Sequence, residues 1–151
     1  ADIYYLKWEY IKNGRVYFPY REKMKDERGA PFDVKLFDCA QEIINKHKGN
    51  DKIYVFDWTK SVRGEKDFRH NLNRSLKQVQ KNHNIFVHPT NINLTTSVFR
   101  KSFGTIGKFS GFSEDLLREI MGHEREETDN AYKDLFPQFT RDQAQEKIIT
   151  L

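Results

Sequence analysis

Along this chain the apolar positions change period, alternating near the N-terminus and falling into helical spacing over the rest. Around Asn13-Gly14, residues 10–20 alternate, with Ile11 on one side and Val16, Tyr17 and Phe18 on the other. Asn-Gly readily supplies the two positive-φ residues of a tight hairpin turn, so the spacing predicts two antiparallel strands. Pro19 lacks a backbone donor and keeps the second strand from a central place in a wide sheet. Residues 21–30 are charged and run into Gly29-Ala30-Pro31, which reads as a long turn. A third strand is expected over 32–36, where apolar and charged residues alternate. Ahead of the hairpin, Ile3, Leu6 and Lys7-Trp8 read as the last turns of a helix.

Helical spacing then takes over. Residues 37–48 place Phe37, Ala40, Ile43 and Ile44 on one face, and Gly49-Asn50 closes the helix. The apolar run 53–56 is too short to assign. A polar helix with a thin apolar stripe (Phe68, Leu72, Leu76, Val79) is expected over 66–82, then a loop over 83–94 broken by Pro89. Residues 95–109 suit a helix carrying Val98, Phe99, Phe103 and Ile106. Ser113 is a good N-cap for a helix over 114–121, with acids in its first turn and Gly122 at its end. A further helix over 126–136 is closed by Pro137, and a short terminal helix follows over 140–149. The pattern predicts a mainly α domain with a small N-terminal antiparallel sheet, an α+β fold in one piece. The sheet region spans about 1–36, the helical core 37–136 and a C-terminal tail 137–151.

Composition narrows the partners only a little. The 151 residues are 37% hydrophobic and 14% aromatic, enough for a core. Lys and Arg number 26 against 22 Asp and Glu, a net +4 that suits a polyanionic partner and equally an ordinary basic protein. Cys39 stands alone, so no intrachain disulfide or thiolate zinc cluster can form, and it is expected as a small core residue. No stretch is long and apolar enough to span a bilayer and no signal-peptide pattern is present, which points to a cytoplasmic protein. No carboxylate cluster suits a metal, no cofactor is expected, and His47, His70, His83 and His88 read as surface or loop residues. Lys60, Arg63, Lys66, Arg69, Arg74, Lys77, Lys81, Lys101 and Lys108 are candidates for a phosphate-tracking face.

One constellation carries chemistry. His123 follows Gly122 and precedes Tyr132 by nine residues, with Arg100 upstream on an apolar helix. A lone tyrosine on a helix is more often a packing residue; the combination argues for more. Phosphodiester cleavage needs a nucleophile, a cation for the phosphoryl oxygens and a proton for the leaving oxygen. Tyr132 can be the nucleophile, Arg100 a planar cationic fork for two phosphate oxygens, and His123 a hydrogen-bond or proton-transfer partner.

The stretch Leu117-Arg118-Glu119-Ile120-Met121-Gly122-His123 through Thr128-Asp129-Asn130-Ala131-Tyr132 resembles the box of the tyrosine recombinases, the phage integrase family, with Met121 in place of the usual leucine. Thr95-Thr96-Ser97-Val98-Phe99-Arg100-Lys101-Ser102-Phe103-Gly104-Thr105 is similar to the family's H-x-L-R-H-T-F-A-T helix. Asp2-Ile3-Tyr4-Tyr5-Leu6-Lys7-Trp8-Glu9-Tyr10-Ile11 looks like the segment after its first arginine. The resemblance implies the DNA breaking-rejoining catalytic fold and metal-independent recombination or integration through a 3′-phosphotyrosyl intermediate. It makes Arg100 the second catalytic arginine, His123 the paired histidine and Tyr132 the nucleophile. The catalytic lysine falls in the hairpin region on Lys25 or Lys23, with Lys25 preferred. Ser97 stands where the family commonly has a histidine; its hydroxyl can contact phosphate but is a poor base. The implied partners are double-stranded DNA and, in the full-length protein, three further copies in a tetramer, with residues 141–151 exchanged between neighbours; a piece without the first arginine and an upstream arm domain is expected to be monomeric and inactive. The alternative expectation is a catalytically silent DNA-binding protein of the same fold.

Overall fold

The structure is a computed structural model, described for residues 2–18, 32–57, 63–86, 92–123 and 135–150. Asn13 (φ 51°) and Gly14 (φ 70°) turn the expected hairpin, pairing β1 (Ile11–Lys12) with β2 (Arg15–Phe18) through Lys12 opposite Arg15. β3 (Phe32–Lys35) adds antiparallel to β2 with Val16 opposite Val34, so the sheet order is β1-β2-β3. Five helices follow among the described residues: α1 (Asp38–His47), α2 (Glu65–Asn82), α3 (Thr96–Phe109), α4 (Glu114–Ile120) and α5 (Gln138–Ile149). The described residues thus form the expected mostly helical arrangement with a small antiparallel sheet.

Three expectations are corrected. Residues 3–6 form a turn rather than the end of a helix, and Trp8–Tyr10 is a single 3₁₀ turn. What competes with helix here is pairing: Lys7 bridges Tyr54, the Val55 amide donates to the Leu6 carbonyl at 3.0 Å, and the Trp8 amide donates to Ile53 at 3.0 Å. The unassigned run 53–56 is therefore a core segment, with Val55 and Phe56 buried. On α1 only Ile44 is buried; Ile43 and Cys39 are exposed, so the cysteine is not a core residue. The expected terminal helix is present as α5, which begins at Gln138 and buries Ala144 and Ile148.

The interior falls into two clusters. Leu6, Val16, Ile44, Val55 and Phe56 gather between the sheet and α1, with Trp8, Tyr10 and Leu36 against them. Leu116, Ile120 and Ala144 form the second, with Phe103, Phe112 and Phe136. Alternation along β2 points Val16 into the first cluster and Arg15 to the other face of the sheet, where it meets α5. Arg15 is 8% exposed and donates to Asp33 on β3 at 2.6 Å and, through both terminal nitrogens, to Asp142 on α5 at 2.6 and 2.9 Å. Arg141 donates to the same Asp33 at 2.9 Å and lies 3.4 Å from Glu119 on α4. A line of alternating charges (Glu119, Arg141, Asp33, Arg15, Asp142) thus joins the two clusters.

Candidate active site

The helix α4 starts on Ser113, whose hydroxyl accepts from the Leu116 amide at 3.3 Å, and ends in a left-handed glycine. Gly122 has φ 60°; its amide donates to the Glu119 carbonyl and that of His123 to the Arg118 carbonyl, each at 2.8 Å. Those two bonds define a Schellman motif, in which a residue with a Cβ would be strained at the glycine position. The Gly-His pair therefore has a backbone reason: glycine turns the chain, and His123 leaves the helix end on the exposed side.

Arg100 reaches this same turn from α3. One terminal nitrogen of its guanidinium donates to the Met121 carbonyl at 2.8 Å, one residue before Gly122. A cation against the last carbonyls of a helix is favourable. Only one of the five donor hydrogens of the guanidinium is engaged there, and its side chain is exposed rather than packed within the helix. Such a fork can still take two oxygens of a phosphate.

Gly107 lets α3 come this close. A Cβ on Gly107 would stand 2.4 Å from Leu117 Cδ2 and 2.9 Å from Ile148 Cδ1, so α4 and α5 pack directly on its backbone. One turn nearer the site, Met121 lies over Gly104, whose Cβ would be 3.6 Å from the Met121 methyl. Ser97 is exposed on the first turn of α3, three residues before Arg100 and hence on the same side of the helix. That first turn is tied to α2, whose Asn73 side chain accepts from the Thr96 amide at 3.0 Å and whose Gln80 accepts from the Leu94 amide at 2.6 Å.

The structure thus brings Arg100 to the turn that presents His123, and puts Ser97 one turn away on α3. Tyr132, Lys25, Lys23, Lys60 and His88 lie outside the described residues, as do the expected long turn 21–30 and most of the expected helix 126–136. His47, His70 and His83 are exposed, and no group of His, Cys, Asp and Glu suited to a metal occurs among the described residues. No described helix is long and apolar enough to cross a membrane. Sequence reasoning missed the charge chain of Glu119, Arg141, Asp33 and Arg15, which ties α4 and α5 to the sheet; its one trace in the sequence is the charged positions of a half-exposed strand.

An exposed arginine and an exposed histidine are thus held at one helix end, in a mostly helical domain with a three-stranded sheet. The chain belongs to the phage integrase family of tyrosine recombinases, whose family model matches residues 1–138. Membership implies site-specific recombination in general, with DNA as the partner. No curated protein and no solved structure matches the chain.

Proposed function

We propose that this chain is the catalytic domain of a site-specific DNA recombinase that integrates or excises a mobile element through a 3′-phosphotyrosyl intermediate, in the DNA breaking-rejoining fold. The observation that carries this reading is the hydrogen bond from Arg100 to the Met121 carbonyl, which holds a cationic fork beside the Gly122-His123 turn. The Tyr132 oxygen attacks phosphorus and the bond from phosphorus to the 5′-oxygen breaks. Lys25, or Lys23, supplies the proton that the leaving oxygen takes, and the phenol proton passes to His123 or solvent. Arg100 and His123 hold the phosphoryl oxygens as charge develops, and Ser97 adds a hydroxyl contact. No metal or cofactor is needed, because the cations are side chains. The native protein works on double-stranded DNA as a homotetramer, in the cytoplasm.

The DNA face includes α2. Lys66, His70, Arg74, Lys77 and Lys81 step along one side of the helix at four-, four-, three- and four-residue intervals, all exposed. They span about 22 Å at 1.5 Å per residue. No ion pair engages Lys66, Arg74, Lys77 or Lys81 among the described residues, and residues 68–82 contain no acid. The stripe borders the Asn73–Gln80 side of α2, where α3 begins, so it runs up to the end of α3 that carries Ser97 and Arg100.

Tyr132→Phe in the native protein tests the chemistry. We expect DNA binding to be retained and the covalent protein–DNA adduct to vanish. Ser97, which offers no general base, favours a second reading, a DNA-binding protein without strand cleavage. Binding with no adduct from the parent protein would support that reading and sink the first.

A further inference from the structure

We infer that Asn73 and Gln80 are positioning residues for DNA: their side-chain amides hold α2 in register with α3, so that the α2 basic stripe and Arg100 meet the duplex as one rigid surface. This rests on the proposed DNA face. The two residues stand seven apart on one side of α2, about 10 Å from each other along the axis. Asn73 Oδ1 accepts from the Thr96 amide at 3.0 Å, in the first turn of α3. Gln80 makes two bonds to the segment that leads into that turn. Its Oε1 accepts from the Leu94 amide at 2.6 Å, and its Nε2 donates to the Ile92 carbonyl at 3.1 Å. One side chain thus takes both a donor and an acceptor of the passing backbone. Leu94 is buried, so the clamped segment is itself anchored.

The register of α2 needs such a device. The helix buries none of its residues completely, and its apolar stripe is thin, with Leu72 and Leu76 half-buried. Apolar contact is non-directional and lets a helix slide and turn on its neighbour, whereas hydrogen bonds demand a distance and an angle. Toward the other end of α2 the Phe68 ring meets Tyr4, with centroids 5.6 Å apart. Without the two amides that contact becomes a pivot, and Gln80 lies about 18 Å from it along the helix. Lys77 and Lys81, next to Gln80, would swing furthest. Arg100 follows Thr96 by one turn of α3, so the Asn73 bond ties the stripe to the turn just before the arginine. Phosphates on a duplex have a set spacing, and cations on two helices engage them together only while their own separation is held. The influence of the amides on DNA passes through Arg100 and the lysines.

The test is binding of the native protein to one random-sequence duplex over a series of salt concentrations, with thermal unfolding and the binding-competent fraction measured alongside. Asn73→Leu and Gln80→Met stay close to the parent side chains in size, favour helix no less and remove no charge. The double variant should nonetheless lower the slope of log affinity against log salt by about 1–2, as though one or two phosphate contacts had been lost, since each carries about 0.9. Gln80→Met alone, which leaves the Asn73 bond in place, should give a smaller drop and decides the matter if the double variant does not hold its fold. Simple loss of folded protein lowers the competent fraction and leaves the slope at the parent's value. A parent slope in the folded variants would therefore overturn the inference, whatever their stability. If Lys77→Gln and Lys81→Gln also keep the parent slope, the assignment of the DNA face to α2 falls instead, a separate failure with its own signature.

Discussion

At the scale of single residues, Gly107 on α3 decides how near Arg100 comes to the helix end it meets. A methyl group at Gly107 would overlap Leu117 and Ile148, both buried and hemmed in, whereas at Gly104 it would make an ordinary contact with the flexible end of Met121. Gly107→Ala is therefore expected to destabilise the domain by about 1–3 kcal/mol through overpacking. Gly104→Ala should be neutral or stabilising by up to about 1 kcal/mol, from helix propensity. Chemical denaturation of the two variants beside the parent checks this; equal losses would mean that α3 does not pack on α4 and α5 through residue 107. Residue-scale signals of backbone chemistry were legible beforehand, since Asn13-Gly14, the Ser113 cap and the glycine before His123 each act locally. Packing was not: Cys39 and Ile43 share the apolar character of Ile44, but only long-range contacts decide which side of α1 meets the sheet.

Elements show the same division. α2 and α3 stand within a residue of where periodicity placed them, because each repeats its signal over several turns. The run 53–56 carried no such repeat, and its place in the core depends on pairing with residues near position 7, far off in sequence. For α2 the informative pattern lies on the solvent side. It buries no residue completely, and its basic stripe is exposed. If the stripe follows phosphates, each cation removed should lower the slope of log affinity against log salt by about 0.9. Lys77→Gln and Lys81→Gln, alone and together, should therefore weaken binding to specific and random duplexes alike and flatten the salt dependence stepwise. Fluorescence anisotropy at a series of salt concentrations measures this. A double variant with the parent's slope would place the DNA elsewhere.

For the molecule as a whole, the decisive device is the charge chain that joins the sheet to α4 and α5, and Asp33 is its centre. Burial pushes the Asp33 carboxyl up, but hydrogen bonds from Gln138, Arg141 and Arg15 outweigh it and hold the carboxyl below its ordinary value. A carboxylate depressed by folding stabilises the native state above its unfolded pKa, and that contribution is lost as pH falls through the lower folded value. The network should therefore be at full strength near neutrality and weaken below about pH 4. Asp33→Asn leaves Arg15 and Arg141 facing each other with only Asp142 and Glu119 to offset them. Removing one partner of a buried pair costs about 3–5 kcal/mol; Asp33 is 16% exposed at its side chain, so the low end applies. The gap in unfolding midpoint between parent and variant should be widest near pH 7 and close progressively as the solution is acidified below pH 4. A gap that stays constant into acid would mean that Asp33 acts by shape and not by charge. The comparison also reaches the site, because Arg141 is the link between Asp33 and Glu119: in the variant at neutral pH, adduct formation should slow even at temperatures where the protein remains folded. Loss of stability with an unaltered rate constant would show that the sheet holds the domain together without helping to place the residues at the end of α4.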